Sequence, residues 1–122
     1  MQPDIEIYIK DRTAEEVHRW LQGVFGHCSD WVAKGRLLRC ECDGMAVTWY
    51  AKAADSWNSL LFDSPHTPWA DDLACALAAN AALVSEVRCA PGGWSEEQGE
   101  EDADRWVRVV DGKAQEFIWR TS

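Results

Sequence analysis

A chain of 122 residues is long enough for one hydrophobic core, and we expect a single domain over 1–122. Hydrophobic residues make up 47% and charged residues 27%, which excludes disorder over most of the chain, and no apolar run reaches the roughly 20 residues that span a bilayer. The formal net charge of −9 argues against nucleic-acid binding, which needs clustered lysine and arginine, and is better matched to a basic partner.

The first predicted elements are a strand and a helix. Residues 4–10 alternate between apolar and polar side chains, a period of two that predicts a half-buried strand. Thr13 precedes Glu16 by three residues, as in a capping box, and Gly26 can end the helix that follows. The apolar stripe of that helix consists of Val17, Trp20, Leu21, Val24 and Phe25.

The segment from 36 to 53 predicts an antiparallel hairpin. Asp43-Gly44 is typical of a two-residue type I′ turn, and that turn sets the register of the two strands. The predicted pairs are Cys42 with Met45, Cys40 with Val47, and Leu38 with Trp49. All six side chains then lie on one face of the hairpin, and a slip of one residue would divide them between the two faces.

The second half of the chain repeats the order of strand, helix and hairpin. Residues 57–63 predict a strand, and Thr67-Pro68 predicts the start of a second helix. Residues 84–89 predict a short strand, and 105–119 a second hairpin about Asp111-Gly112. The second helix is expected to bury Ala70, Leu73, Ala74, Leu77, Ala81 and Val84, with Asn80 at the edge of that stripe. The second hairpin is expected to pair Val109 with Ala114 and Trp106 with Phe117.

This order of elements predicts an α+β fold. We expect an antiparallel-rich sheet with two helices packed on one face. The first strand, helix and hairpin suit a ferredoxin-like βαββ core, to which a C-terminal β-hairpin is added.

The cysteines indicate reduced thiols. Their number is five, and no secretory signal precedes them, so we expect a cytoplasmic protein without a disulfide framework. Cys40 and Cys42 are predicted to point into the core, and Cys28 to be more exposed. The histidines are not at ligand spacing from any cysteine pair, so no zinc site or other cofactor is predicted.

The leading candidate site is an acidic loop at 94–104. Within 94–104 it holds six carboxylates and no basic residue, and Trp94 and Trp106 flank these acids. The acids would steer the approach of a basic protein partner, and a tryptophan would anchor it. The binding residues predicted in this way are Trp94, Glu96, Glu97, Glu100, Glu101, Asp102, Asp104 and Trp106.

Two other functions stay open from the sequence. Of the eight tryptophans, Trp20 and Trp49 are expected in the core, and the less constrained ones could line a small-molecule pocket between the sheet and the helices. Asp63, Ser64 and His66 lie together before the second helix, and a serine, a histidine and a carboxylate are the groups of a hydrolase. The same residues are common in turns and helix caps, and the oligomeric state is not predicted.

The chain resembles the small acidic stand-alone domains of bacteria, which include immunity proteins that neutralise a toxin. The resemblance rests on size, charge and the tryptophan- and acid-rich segment Trp94-Ser95-Glu96-Glu97. It implies a protein-binding role and assigns no role to any single residue.

Overall fold

The structure is a computed structural model that describes residues 5–54, 56–63, 67–69, 71–89 and 105–118. Within these residues the helices are α1 (Ala14–Phe25) and α2 (Asp72–Leu83). The strands are β1 (Ile5–Lys10), β2 (Val32–Lys34), β3 (Leu37–Cys42), β4 (Met45–Ala54), β5 (Trp57–Asp63), β6 (Val87–Cys89), β7 (Arg105–Val110) and β8 (Lys113–Ile118). They form one sheet in the order β2-β3-β4-β5-β1-β6-β7-β8, with every neighbouring pair antiparallel.

The predicted α+β class and its antiparallel sheet are confirmed. β1 lies between β5 and β6, and its three isoleucines are fully buried. They form one core cluster with Val17 and Leu21 of α1 and with buried residues of α2, so both helices cover the same face of the sheet. Within the described residues, no helix is long and apolar enough to cross a membrane.

Local signals set the first helix and the two hairpins. Thr13 and Glu16 form the predicted capping box, and Gly26 ends α1 with a φ of 81°. Both residues of Asp43-Gly44 and of Asp111-Gly112 have positive φ, as type I′ turns require. The strand pairs predicted for each hairpin are confirmed residue by residue.

The predicted start of the second helix is wrong, and so is its predicted stripe at Leu77, Ala81 and Val84. Leu73 and Ala74 do pack against the core, and Ala70 lies outside the described residues. α2 begins after Asp71 and not at Thr67. The Asp71 carboxylate caps the helix by accepting a hydrogen bond from the Ala74 backbone N–H at 2.8 Å. Of the expected stripe, Leu77 is 36% and Val84 78% exposed. The buried residues of α2 are Cys75, Ala76, Ala79, Asn80 and Leu83. The phase was lost because nearly every residue of this helix is small or apolar, so its periodicity has little contrast.

Asn80 lies inside the fold and not at the edge of the stripe. Its Nδ2 donates to the backbone oxygens of Ser85 at 2.8 Å and Val109 at 3.2 Å. Its Oδ1 accepts from the backbone N–H of Gly112 at 2.8 Å. One side chain therefore joins the end of α2 to the turn between β7 and β8.

The cysteine prediction is wrong for one pair. Cys28 and Cys42 form a disulfide, with their Cα atoms 4.1 Å apart, and Cys28 is only 7% exposed. The inward orientation of Cys40 and Cys42 is confirmed, since they are 4% and 0% exposed. The sequence did not reveal the bond because it depends on the path taken after α1, which brings Cys28 opposite Cys42 in an antiparallel bridge.

Candidate functional site

The sheet face opposite the helices is called the open face below. On β1 it carries the residues that alternate with the buried isoleucines. Its residues are identified by register, because directly paired residues of antiparallel strands share a face. The central row crosses six strands, which lie in the order β4, β5, β1, β6, β7 and β8. Its members are Tyr50, Ser59, Tyr8, Arg88, Arg108 and Gln115.

Aromatic rings and an arginine form a cluster on the open face. The Arg88 guanidinium carbon lies 4.1 Å from the ring centre of Trp57 and 4.6 Å from that of Phe117. These distances are typical of cation–π contacts. Tyr8 and Trp106 meet edge to face, with ring centres 5.6 Å apart. We call these five residues the aromatic–arginine cluster.

A salt bridge orients the arginine of this cluster. The Nε of Arg88 donates to the Glu86 carboxylate at 3.0 Å, which fixes the plane of the guanidinium. Burial, and then the nearby carboxylate of Glu6, raise the pKa of Tyr8, so its phenol stays neutral. Trp, Tyr and Arg are the residue types most enriched at protein-binding hot spots.

Carboxylates gather at one end of the sheet. β5 ends at Asp63, and Ile5 at the start of β1 pairs with Phe62 beside it. Glu6 accepts a hydrogen bond from the Ser59 hydroxyl at 2.8 Å. α2 begins at this end too, with Asp71 and Asp72. We call Glu6, Asp63, Asp71 and Asp72 the acidic end.

Asp72 shows how closely the charges of the acidic end interact. Burial above all, together with the negative charges of Asp71 and Glu6, raises the pKa of this carboxyl from 3.8 to about 6. A hydrogen bond from the Glu6 backbone opposes this rise. A cationic group placed here would relieve the repulsion and favour the ionised form of Asp72.

Most of the predicted partner-binding residues lie outside the described part of the chain. They are Trp94, Glu96, Glu97, Glu100, Glu101, Asp102 and Asp104. Trp106 is described, and it lies half-buried on the open face beside Tyr8. The segment 90–104 joins Cys89 to Arg105, and the pairings of β6 with β1 and β7 place both of these residues at the acidic end.

The hydrolase candidates are only partly described. Asp63 is exposed at the end of β5, whereas Ser64 and His66 lie outside the described residues. The free thiols are poor nucleophiles: burial raises the pKa of Cys40 to about 11 and that of Cys89 to about 12, and raises that of Cys75 well above its ordinary value. Within the described ranges, no three metal-ligating side chains form a group that could hold an ion.

The tryptophans expected on the apolar faces of the elements are packed into or against the core. Trp49 and Trp69 are 2% and 9% exposed. Trp69 stacks on Trp20 with ring centres 5.7 Å apart and meets Phe62 at 5.1 Å. These rings pack against one another between the sheet and the helices.

Sequence reasoning missed most of the aromatic–arginine cluster. Alternation places each of its residues on a strand face, but it does not reveal that β6 lies beside β1. Comparison with known proteins found no matching family model, curated protein or solved structure. Function is therefore inferred from the open face and its acidic end.

Proposed function

We propose that this is a non-enzymatic binding protein that recognises a basic protein partner. The observation that carries the proposal is the position of the acidic end next to the half-buried rings of Tyr8 and Trp106. The acidic segment 94–104 adds six carboxylates to the chain that connects β6 and β7 at this end. Like charges held this close favour a cationic partner over a neutral one.

The proposed mechanism divides the work between charges and rings. Carboxylates at the rim of an interface mainly raise the rate of association, because they attract an oppositely charged surface over a Debye length. Trp106 and Tyr8 supply flat apolar area that can be desolvated on contact, and such residues mainly slow dissociation. An immunity-like or regulatory protein would need both properties.

We also infer a ferredoxin-like arrangement for part of the fold. The support is the strand order β4-β5-β1-β6, all antiparallel, with α1 after β1 and α2 between β5 and β6. β2 and β3 lie between α1 and β4 in the chain, and the hairpin β7–β8 extends the opposite edge. The core hairpin of this interpretation is β4–β5, and not the β3–β4 hairpin that the sequence suggested.

A cytoplasmic location is part of the same proposal. A disulfide is unusual in that compartment, where glutathione and thioredoxin keep thiols reduced. Rapid alkylation of thiols in intact cells, followed by mass analysis of Cys28 and Cys42, tests the location. A bond found intact in the whole population would argue for an oxidising compartment.

The binding proposal is tested first by capture from the native organism's lysate at low and high salt. The baits are the wild type and a variant in which the six acids of 94–104 are replaced by their amides. We expect a basic protein that the wild type retains at low salt and releases at high salt, and that the variant does not retain. A prey that binds both baits equally at both salt concentrations would contradict the proposal.

Purified prey then allows matched variants to be compared. Glu6→Gln with Asp63→Asn should slow association severalfold and flatten its salt dependence. Glu15→Gln with Asp30→Asn is the control, since it removes the same charge from residues on and beside α1. Equal association rates for the two double variants would refute a role for the acidic end.

The anchor is tested separately from the charges. Trp106→Ala should weaken binding by about 2 kcal/mol, mainly through faster dissociation. The control for this change is Leu77→Ala, which removes a partly exposed apolar side chain from α2 on the other side of the sheet. Unchanged dissociation of the Trp106 variant would exclude this ring from the interface.

A further inference from the structure

Three of the five cysteines bring their sulfur atoms together at one site. Cys28 is bonded to Cys42, and the Sγ of Cys40 lies 3.9 Å from the Sγ of Cys42. Cys40 and Cys42 are on one face of β3. Cys28 follows α1 and pairs with Cys42 in an isolated antiparallel bridge. The proposed binding function does not use this sulfur cluster.

The two bonded cysteines differ in exposure. Cys28 is 7% exposed, whereas Cys42 is 0% exposed. Thiol–disulfide exchange requires the attacking sulfur to reach one of the two atoms along the bond, so access selects the atom attacked. The greater exposure of Cys28 favours attack at its sulfur, which would make Cys42 the leaving group.

The third sulfur is placed to assist the leaving group. Cys42 carries no hydrogen while it is bonded to Cys28, so Cys40 must be the donor in the contact between them. Burial keeps Cys40 protonated, because it raises the pKa of this thiol to about 11. An S–H donor aimed at a sulfur that gains negative charge stabilises that charge.

We propose that Cys28 is a thiol-exchange site for small thiols and dithiols, with Cys42 as the leaving sulfur and Cys40 as its hydrogen-bond donor. A reductant thiolate forms a bond to Cys28 Sγ while the bond between Cys28 and Cys42 breaks. The electron pair of that bond goes to Cys42, which then takes a proton from solvent. The second thiolate of a dithiol displaces Cys28, so the protein gains two electrons and two protons and the dithiol becomes a disulfide.

The surrounding backbone allows this exchange without unfolding. The Ser29 N–H donates to the Glu41 oxygen at 2.8 Å, and the Asp43 N–H donates to the His27 oxygen at 3.0 Å. The Ser29 hydroxyl also accepts from the Glu41 N–H at 2.8 Å. None of these bonds involves sulfur, so the segment after α1 stays paired with β3 when the disulfide opens.

The experiment measures reduction of the folded protein by dithiothreitol without denaturant, followed by acid quench and alkylation. We expect a rate that rises in proportion to dithiothreitol concentration. With 2-mercaptoethanol, the trapped mixed disulfide should be found on Cys28 in the peptide mass spectrum. A rate independent of reductant would mean that the bond opens only through unfolding, and an adduct on Cys42 would reverse the assignment. Either result overturns the proposal.

Variants of Cys40 test the donor. Cys40→Ala removes it and should slow reduction about two- to fivefold, the effect of one weak hydrogen bond to a leaving thiolate. Cys40→Ser keeps a donor and should restore much of the rate, and Cys75→Ala controls for the loss of a buried thiol elsewhere. Equal rates in the alanine and serine variants would refute the role of Cys40, and unfolding curves of both show whether they fold. This inference is independent of the proposed binding function.

Discussion

Replacement of Asn80 by alanine should strongly destabilise the fold. The side chain is 7% exposed and makes three hydrogen bonds to backbone groups. Truncation removes the Asn80 amide from two backbone groups. They are the oxygen of Val109, which is a fully buried residue, and the partly buried N–H of Gly112. Each buried polar group that loses its partner costs about 1–3 kcal/mol. The Ser85 oxygen does not add to this cost, because it can accept a hydrogen bond from water instead. We therefore expect the free energy of unfolding to fall by about 2–4 kcal/mol.

Urea denaturation followed by tryptophan fluorescence measures this change, and hydrogen exchange locates it. The amide of Gly112 should exchange faster in the variant, because its acceptor is gone. Gln115→Ala is the matched control: it removes an exposed amide that accepts from Arg108 at 3.1 Å, and should cost under about 0.5 kcal/mol. A loss below about 1 kcal/mol for Asn80→Ala, or unchanged exchange at Gly112, would refute the reasoning.

Four further substitutions follow from other contacts. Asp72→Asn should raise the free energy of unfolding by about 1–3 kcal/mol at pH 7.5 and have little effect at pH 4. Because the pKa of Asp72 in the folded protein, about 6, exceeds its ordinary value of 3.8, the stability that this group gives the wild type is lost as the pH rises from 4 to 6. Denaturation of both proteins at the two pH values checks this. Asn58→Ala should cost about 2 kcal/mol in urea, since its Oδ1 accepts the Lys52 N–H at 2.9 Å and its Nδ2 donates to a buried oxygen. Replacing both Cys28 and Cys42 by alanine should lower stability by about 3 kcal/mol, because the sequence separation is 14; a thermal midpoint equal to wild type would argue against this. Thr13→Ala should cost about 1 kcal/mol, with less helical circular dichroism at intermediate denaturant.

Sequence alone predicted the elements in which two local signals agree. In both hairpins the Asp-Gly turn and the alternation of apolar residues specify the same register, and the structure has that register. The first helix is similar, because its capping box and its apolar stripe agree. In α2 only one signal was present, and Thr67-Pro68 resembled a cap more closely than Asp71 did.

The candidate site was harder to predict because it is assembled from distant strands. Trp57, Arg88 and Phe117 meet only because β5, β6 and β8 lie in one sheet, and no local pattern specifies that order. The disulfide is a similar case, since 14 positions separate its cysteines. The acidic residues could be recognised from composition alone, and only their surroundings required the fold.

The central place of β1 affects how this protein is made. The strand is synthesised before both of its neighbours, β5 and β6, and β6 begins only at Val87. Until then the growing chain carries three isoleucines that have no complete core to enter. Pairing between such distant segments is slow, and the exposed strand meanwhile attracts chaperones or other chains. In this fold the order of synthesis and the order of assembly therefore run against each other.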